Sequence, residues 1–103
     1  MTEHAYLSAV RNLYLQLPIA SGRFTRSDRQ LAKDLHHRGI PIATIRSALL
    51  LATVRRLCRN PASPSLPPVR SLHYFLPVLA EVLLKPLPHS YCEYLESKVT
   101  DHH

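Results

Sequence analysis

The chain has 103 residues, of which 46% are hydrophobic and 19% are charged, and its formal net charge is +6. This length and composition support one compact core and leave little room for a second domain. The two cysteines, Cys58 and Cys92, belong to no CxxC pair. The sequence therefore indicates neither a disulfide framework nor a zinc knuckle, and we expect two small core residues in a reducing compartment.

No part of the sequence predicts secretion or a membrane anchor. The first twelve residues lack the basic start and the continuous apolar run of a secretory signal. No stretch approaches the ~20 apolar residues that a membrane-spanning helix needs. We therefore expect a soluble, cytoplasmic protein that does not contact a membrane.

Positive charge is concentrated in the first two-thirds of the chain. The first 70 residues contain ten arginines and Lys33 against three acidic residues, whereas the rest contain two lysines and four acidic residues. Because the planar guanidinium suits phosphate better than the lysine ammonium does, this distribution indicates an anionic partner. Solubility, or an acidic protein partner, would explain the same charge.

The first two helices are predicted by apolar spacing and by capping residues. Residues 6–17 carry apolar side chains at steps of four, three and four, with Thr2 as a suitable N-cap and Pro18 beyond the end. The second helix has two possible starts, because Thr25 and Ser27 are each followed three residues later by a partner for a capping box. Its predicted buried side consists of Leu31, Ala32 and Leu35.

Gly39 predicts the end of the second helix and a turn into a third. Glycine tolerates the left-handed conformation of a helix C-cap, so we expect a Schellman motif here. Pro41 suits the first position of the third helix, which should run to about Arg59. The segment ALLLA, residues 48–52, is apolar on every side and predicts that this helix is central.

The last third of the chain is punctuated by prolines. Residues 60–68 include four prolines and predict a stiff, extended connector. Ser71 opens a fourth apolar stretch, in which Pro77 predicts a kink, or a short turn followed by a new helix. Ser90 begins another capping-box pattern and predicts a short last helix to about Val99. The residues of this helix expected to be available for packing are Tyr91, Tyr94 and Leu95.

These elements predict an all-α fold. We expect a compact four- or five-helix bundle with a central third helix and a proline-rich connector. Residues 1–99 should form a single helical domain, and residues 100–103 a frayed tail.

Basic residues at two places form the candidate binding site. One cluster lies at the end of the third helix, and arginines recur every third residue around the start of the second. If the bundle brings these ends together, they form a phosphate-binding surface. Alternatively they are solvated faces, or Arg55 or Arg56 pairs with Asp28 or Asp34. The predicted nucleic-acid-binding residues are Arg23, Arg26, Arg29, Lys33, Arg55, Arg56 and Arg59.

The two helices around Gly39 invite comparison with the DNA-reading helix-turn-helix. Ile45 fits the usual apolar position after the turn, but Asp34 and Leu35 do not fit the two positions before it. The base-reading face would consist of Ala43, Thr44 and Ser47. A plain helical hairpin is the favoured interpretation.

Catalytic and metal-binding patterns are not found in the sequence. There is no Gly-rich phosphate loop, HExxH, GxSxG or paired acidic cluster. His36 and His37 are adjacent, so they point in different directions on a helix and have no partner at ligand spacing. We expect no enzyme activity, no metal and no cofactor, and the sequence identifies no small-molecule substrate.

One longer pattern resembles a known family. The segment SDRQLAKDLHHRGIPIATIRSALLLA, followed after a basic linker by RSLHYF, is similar to the helical domain of DnaD-type bacterial and phage replication-initiation proteins. The resemblance covers about residues 23–84. It implies an all-α, DNA-binding module that helps assemble a replication or mobile-element nucleoprotein complex, with Tyr74 and Phe75 in the family's closing aromatic segment.

We therefore expect a non-catalytic module that binds the DNA or RNA backbone within a nucleoprotein complex, together with a protein partner or a second copy. The alternative is a small protein-interaction or oligomerising adaptor without direct nucleic-acid contact. In that case the apolar segment 72–84 would dock onto a partner helix, although the same segment could instead be core. The predicted partner-binding residues are Leu72, Phe75 and Leu76.

Overall fold

Five α-helices make up most of the chain that the computed structural model describes, namely residues 2–58, 62 and 66–100. They are α1 (Glu3–Leu15), α2 (Arg26–His37), α3 (Ile42–Leu57), α4 (Leu76–Leu84) and α5 (His89–Thr100). A 3-10 turn, Leu72–Phe75, directly precedes α4. The predicted all-α fold is confirmed. Arg59, most of the proline-rich connector and residues 101–103 of the predicted tail lie outside the described residues.

The central position predicted for the third helix is confirmed. All five residues of 48–52 are buried, and α3 packs against α1, α4, α5 and the 3-10 turn. Burial of a helix on every side requires neighbours around it, which the other helices supply. None of the described helices is long and apolar enough to cross a membrane.

The turn at Gly39 has the predicted Schellman geometry. Gly39 has φ of +73°, its amide donates to the carbonyl of His36, and the amide of Ile40 donates to the carbonyl of Leu35. Pro41 lies one position earlier than predicted: it is the N-cap of α3, and its carbonyl accepts hydrogen bonds from the first turn.

The proline-rich last third follows the predicted pattern with one shift. Pro77 lies in the first turn of α4, so the expected short turn and new helix are both present. The last helix begins at His89, because the carbonyl of Pro88 accepts hydrogen bonds from the amides of Tyr91 and Cys92. Ser90 is therefore inside the helix, and its prediction as N-cap is wrong.

The packing face of α5 also differs from the prediction. Leu95 is buried as expected, but Cys92 and Val99 complete the buried face, whereas Tyr91 and Tyr94 are exposed. The buried residues are spaced three and four apart, as a helix face requires. Cys58 is exposed, so only one of the two cysteines is a core residue.

Asp28 is a fully buried carboxylate, with 0% of its surface exposed. Its Oδ2 accepts hydrogen bonds from the amide of Thr25 at 2.9 Å and the hydroxyl of Thr25 at 3.0 Å. Its Oδ1 accepts hydrogen bonds from the amide of Leu72 at 2.8 Å and the hydroxyl of Ser71 at 3.2 Å. The structure thus resolves the choice of start for α2 in favour of Thr25 and joins that start to the 3-10 turn.

These hydrogen bonds decide the ionisation of Asp28. Burial alone would raise the pKa of the carboxyl, but the hydrogen bonds from Thr25, Leu72 and Ser71 outweigh burial and lower the pKa below its ordinary value of 3.8. The carboxylate is therefore charged and satisfied by neutral donors.

A second connection joins the loop after α1 to the residues after the connector. Ala20 and Val69 form an isolated parallel bridge, in which the amide of Val69 donates to the carbonyl of Ile19 at 2.7 Å and the amide of Ser21 donates to the carbonyl of Val69 at 2.8 Å. The hydroxyl of Tyr14 also donates to the carbonyl of Val69. This bridge and Asp28 fix the chain segment before the 3-10 turn.

We predict that Gly39→Ala lowers the free energy of unfolding by about 1–2 kcal/mol, because an L side chain disfavours the left-handed backbone. A Cβ at this position would meet nothing within 4 Å, so the loss comes from the backbone conformation alone. Chemical denaturation measures it. Gly39→Asn, which tolerates this conformation better, should lose less, and equal losses would contradict the explanation.

We predict that Asp28→Asn lowers the free energy of unfolding by about 2–3 kcal/mol at neutral pH, because charge-assisted hydrogen bonds are lost and an amide faces buried donors. The lowered pKa means that Asp28 contributes stability above its unfolded pKa of about 3.8, and that this contribution is lost as the pH falls through the folded pKa.

Denaturation curves at several pH values check both parts of the Asp28 prediction. The variant should show a weaker loss of stability on acidification than the wild type does. Asp34→Asn is the matched control, since Asp34 is exposed and accepts a hydrogen bond from Gln30. If the Asp28→Asn variant has the same free energy of unfolding as the wild type at neutral pH, the role assigned to this carboxylate is refuted.

Candidate functional site

A cleft of about 690 Å³ lies between α1 and α2. We call it the basic cleft, after the side chains that line it. These are His4 and Arg11 from α1, and Arg26, Arg29 and Lys33 from α2. Leu7 and Phe24 also line it.

The antiparallel packing of α1 and α2 creates the basic cleft. Near one end of the hairpin the rings of Tyr6 and His36 lie 4.8 Å apart, and near the other end those of Tyr14 and Phe24 lie 6.0 Å apart. Within α2 the three cations follow the spacing i, i+3 and i+7, which places them on one face. The opposite face of α2 is buried.

The cations of the basic cleft are not neutralised within the described part of the chain. No carboxylate lines the cleft, and the ion pairs among described residues involve Arg46, Arg55 and His89 instead. Asp28, the acidic residue of the first turn of α2, is buried and bonded to neutral donors. The basic cleft is therefore a region of concentrated positive charge that is open to an anion.

Three of the sequence-predicted residues, Arg26, Arg29 and Lys33, come together in this cleft. Arg23 is exposed but does not line it. His4 and Arg11 also line the cleft, although they are not among the residues predicted from the sequence. A signal was present, because these two residues are seven apart on α1 and so share a face, but the pairing of that face with α2 was not predicted.

Arg55, at the other predicted cluster, has an intramolecular partner. Its two terminal nitrogens donate to Glu81 on α4 at 2.8 and 3.0 Å, and these hydrogen bonds lower the pKa of Glu81. Asp28 and Asp34, considered from the sequence as alternative partners of Arg55 or Arg56, are not the partners of Arg55, which pairs with Glu81. The charge of Arg55 is thus balanced at the protein surface.

Arg56 is also engaged within the chain. It donates to the carbonyl of Pro67, and its guanidinium lies over the ring of Tyr74, 5.6 Å from the centroid. Arg55 and Arg56 line a different, shallow cleft, so the structure does not bring them together with the α2 cations. Arg59 lies outside the described residues.

The predicted partner-binding residues are mostly core. Leu72 and Phe75 are each only 3% exposed, and Leu76 is half-buried against the same core. Leu72 and Phe75 are therefore not available to a partner on the surface of this fold. The hairpin face considered for base reading is also partly occupied, since Ser47 is buried and its hydroxyl lies 3.0 Å from the Cys92 thiol.

Among the described residues there is no group of three or more His, Cys, Asp or Glu side chains placed to hold a metal ion. No protein-family model, curated protein or solved structure matches this chain. The candidate site is therefore defined by its geometry and charge.

We predict that a polyvalent anion stabilises the protein through the basic cleft. Millimolar tripolyphosphate, compared with chloride at equal ionic strength, should raise the Tm, because an anion that binds only the folded state stabilises it. A gain of 1 kcal/mol corresponds to about 4–8 °C for a domain of this size. Thermal unfolding followed by circular dichroism measures the shift.

Two charge-matched variants test whether the effect arises in the cleft. The pair Arg26→Ala and Arg29→Ala should abolish most of the shift, whereas Arg38→Ala with Lys85→Ala removes the same charge from exposed positions outside the cleft and should retain it. Equal shifts in both variants would mean that the anion acts through net charge alone.

Proposed function

We propose that this protein is a non-catalytic nucleic-acid-binding module that holds the phosphate backbone of DNA or RNA in the basic cleft. The observation that carries the proposal is the set of four Arg and Lys side chains around one cleft, without ion pairs to described residues. Arginine and lysine contacts to phosphate supply most of the sequence-independent affinity for nucleic acid.

The spacing of the cations supports a polymeric anion rather than a single phosphate. Arg26 and Lys33 are seven residues apart on α2, which corresponds to about 10 Å along the helix axis. That length allows the two side chains to contact different phosphates of one strand. Arg11 adds a cation from the neighbouring helix, so several phosphates of one strand can be contacted together.

The proposed setting is a replication or mobile-element nucleoprotein complex, in which the module acts with a protein partner or a second copy of itself. The support for this setting is the resemblance of residues 23–84 to the helical domain of DnaD-type replication-initiation proteins. Within that segment the basic cleft uses α2, and Phe75 of the closing aromatic segment packs in the core against Tyr14, with ring centroids 6.1 Å apart.

A second candidate function is a protein-interaction or oligomerising adaptor without nucleic-acid contact. The observation that favours it is a group of exposed hydrophobic side chains on α4 and α5, where Leu84 is 89% exposed and Leu83, Tyr91 and Tyr94 are also exposed. This group differs from the partner-binding residues predicted from the sequence. Exposed apolar side chains of this kind are common at protein interfaces.

We predict salt-sensitive binding of labelled DNA and RNA oligonucleotides to the purified protein. Fluorescence anisotropy at several salt concentrations measures the affinity and its salt slope. The slope of log K against log salt is negative, and each lost phosphate contact reduces its magnitude by about 0.7–0.9. Replacing Arg11, Arg26 and Arg29 by Ala should therefore reduce the magnitude of the slope by about 2–3. It should also weaken binding to every sequence.

The control is a charge-matched variant in which Arg38, Arg70 and Lys85 are replaced by Ala. These residues are exposed and do not line the basic cleft, so this variant should retain most of the slope. Equal losses in the two variants would place the contact outside the cleft. No salt-sensitive binding to any strand would refute the proposed function and favour the adaptor.

A further inference from the structure

We infer that the nucleic acid held in the basic cleft is single-stranded and that one of its bases stacks on Phe24. This inference rests on the proposed function and adds the substrate class. The observation behind it is that the cleft has an aromatic and aliphatic part, formed by Phe24 and Leu7, among its cations.

Phe24 packs against the hydrophobic core with part of its ring. Its ring packs on Tyr14 with 6.0 Å between centroids and an interplanar angle of 58°. Tyr14 is fully buried, its hydroxyl donates to the carbonyl of Val69, and its other ring neighbour is Phe75. Phe24 is half-buried, so part of its ring remains open towards the cleft.

Phosphate binding alone does not require an aromatic ring in the cleft. A duplex presents phosphates on its outside and keeps its bases stacked on one another, so its backbone needs only cations and polar donors. An unpaired base has a free face, and proteins that bind single strands combine a positively charged groove with aromatic side chains on which bases stack. The basic cleft has both components.

The exposed aromatic residues elsewhere lie beside cations that already have partners, or beside each other. Tyr74 lines the shallow cleft of Arg55 and Arg56, but Arg55 is paired with Glu81. The ring of Tyr74 is covered by Arg56, and the rings of Tyr91 and Tyr94 stack on each other, with Lys98 over the ring of Tyr94. Neither group lines the basic cleft. Phe24 is thus the aromatic ring placed beside Arg26 and Arg29.

The first experiment separates base contacts from phosphate contacts without changing the protein. Oligothymidylate is compared with an abasic strand of the same length and with a duplex of the same length, in one buffer. Loss of stacked bases should weaken binding of the abasic strand by about tenfold or more. The duplex has the higher charge density, so binding through phosphates alone would favour it, whereas the inference requires oligothymidylate to bind more tightly.

The second experiment assigns the base contact to Phe24. Phe24→Leu keeps an apolar side chain against Tyr14 and should remove most of the difference between oligothymidylate and the abasic strand. Tyr94→Leu is the matched control, because Tyr94 is an exposed ring outside the cleft, and it should keep the full difference. Circular dichroism and Tm confirm that both variants are folded.

The outcomes distinguish this inference from the function on which it rests. Equal affinity for the abasic strand and oligothymidylate, or tighter binding of the duplex, overturns the single-strand inference while phosphate binding stands. A folded Phe24→Leu protein that keeps the full difference overturns the assignment to Phe24. Absence of salt-sensitive binding to all three probes overturns the proposed function itself.

Discussion

The buried carboxylate of Asp28 is the interaction on which the arrangement of this protein depends. It accepts hydrogen bonds from Thr25 at the start of α2 and from Ser71 and Leu72 at the start of the 3-10 turn. Four neutral donors satisfy one negative charge, so no arginine is needed to balance it. The consequence is that the cations of α2, although they belong to the same helix, remain on its outer face and available to a ligand.

The six arginines within the described helices thus fall into two groups by their surroundings. Those of α3 join it to its neighbours: Arg46 pairs with Glu96 on α5, Arg55 with Glu81 on α4, and Arg56 bonds the carbonyl of Pro67. Those of α1 and α2 line an open cleft that has no carboxylate among its described lining residues. Exposed ion pairs contribute little stability, but they neutralise charge. The arginines without such a partner therefore carry most of the positive potential at the surface of these helices.

Local rules predicted the helices better than they predicted the site. The Schellman turn at Gly39 and the buried segment 48–52 depend on neighbouring residues, and the sequence contains that information. The basic cleft depends on which faces of α1 and α2 meet, and the partner of Arg55 lies 26 residues away. Such contacts are set by tertiary packing. Ser90 failed as an N-cap for a local reason: the carbonyl of Pro88 accepts the first hydrogen bonds, so the helix begins two residues earlier than predicted.

The bridge between Ala20 and Val69 has a consequence for folding. It joins residues far apart in sequence, as does the bond from Leu72 to Asp28, which spans 44 residues. Closing such loops costs chain entropy before the contacts form. The α1–α2 hairpin that bears the cleft is therefore joined to residues 69–72 by hydrogen bonds that form only at this entropic cost. The proposed anion site thus depends on contacts that reach the hairpin from beyond the proline-rich connector.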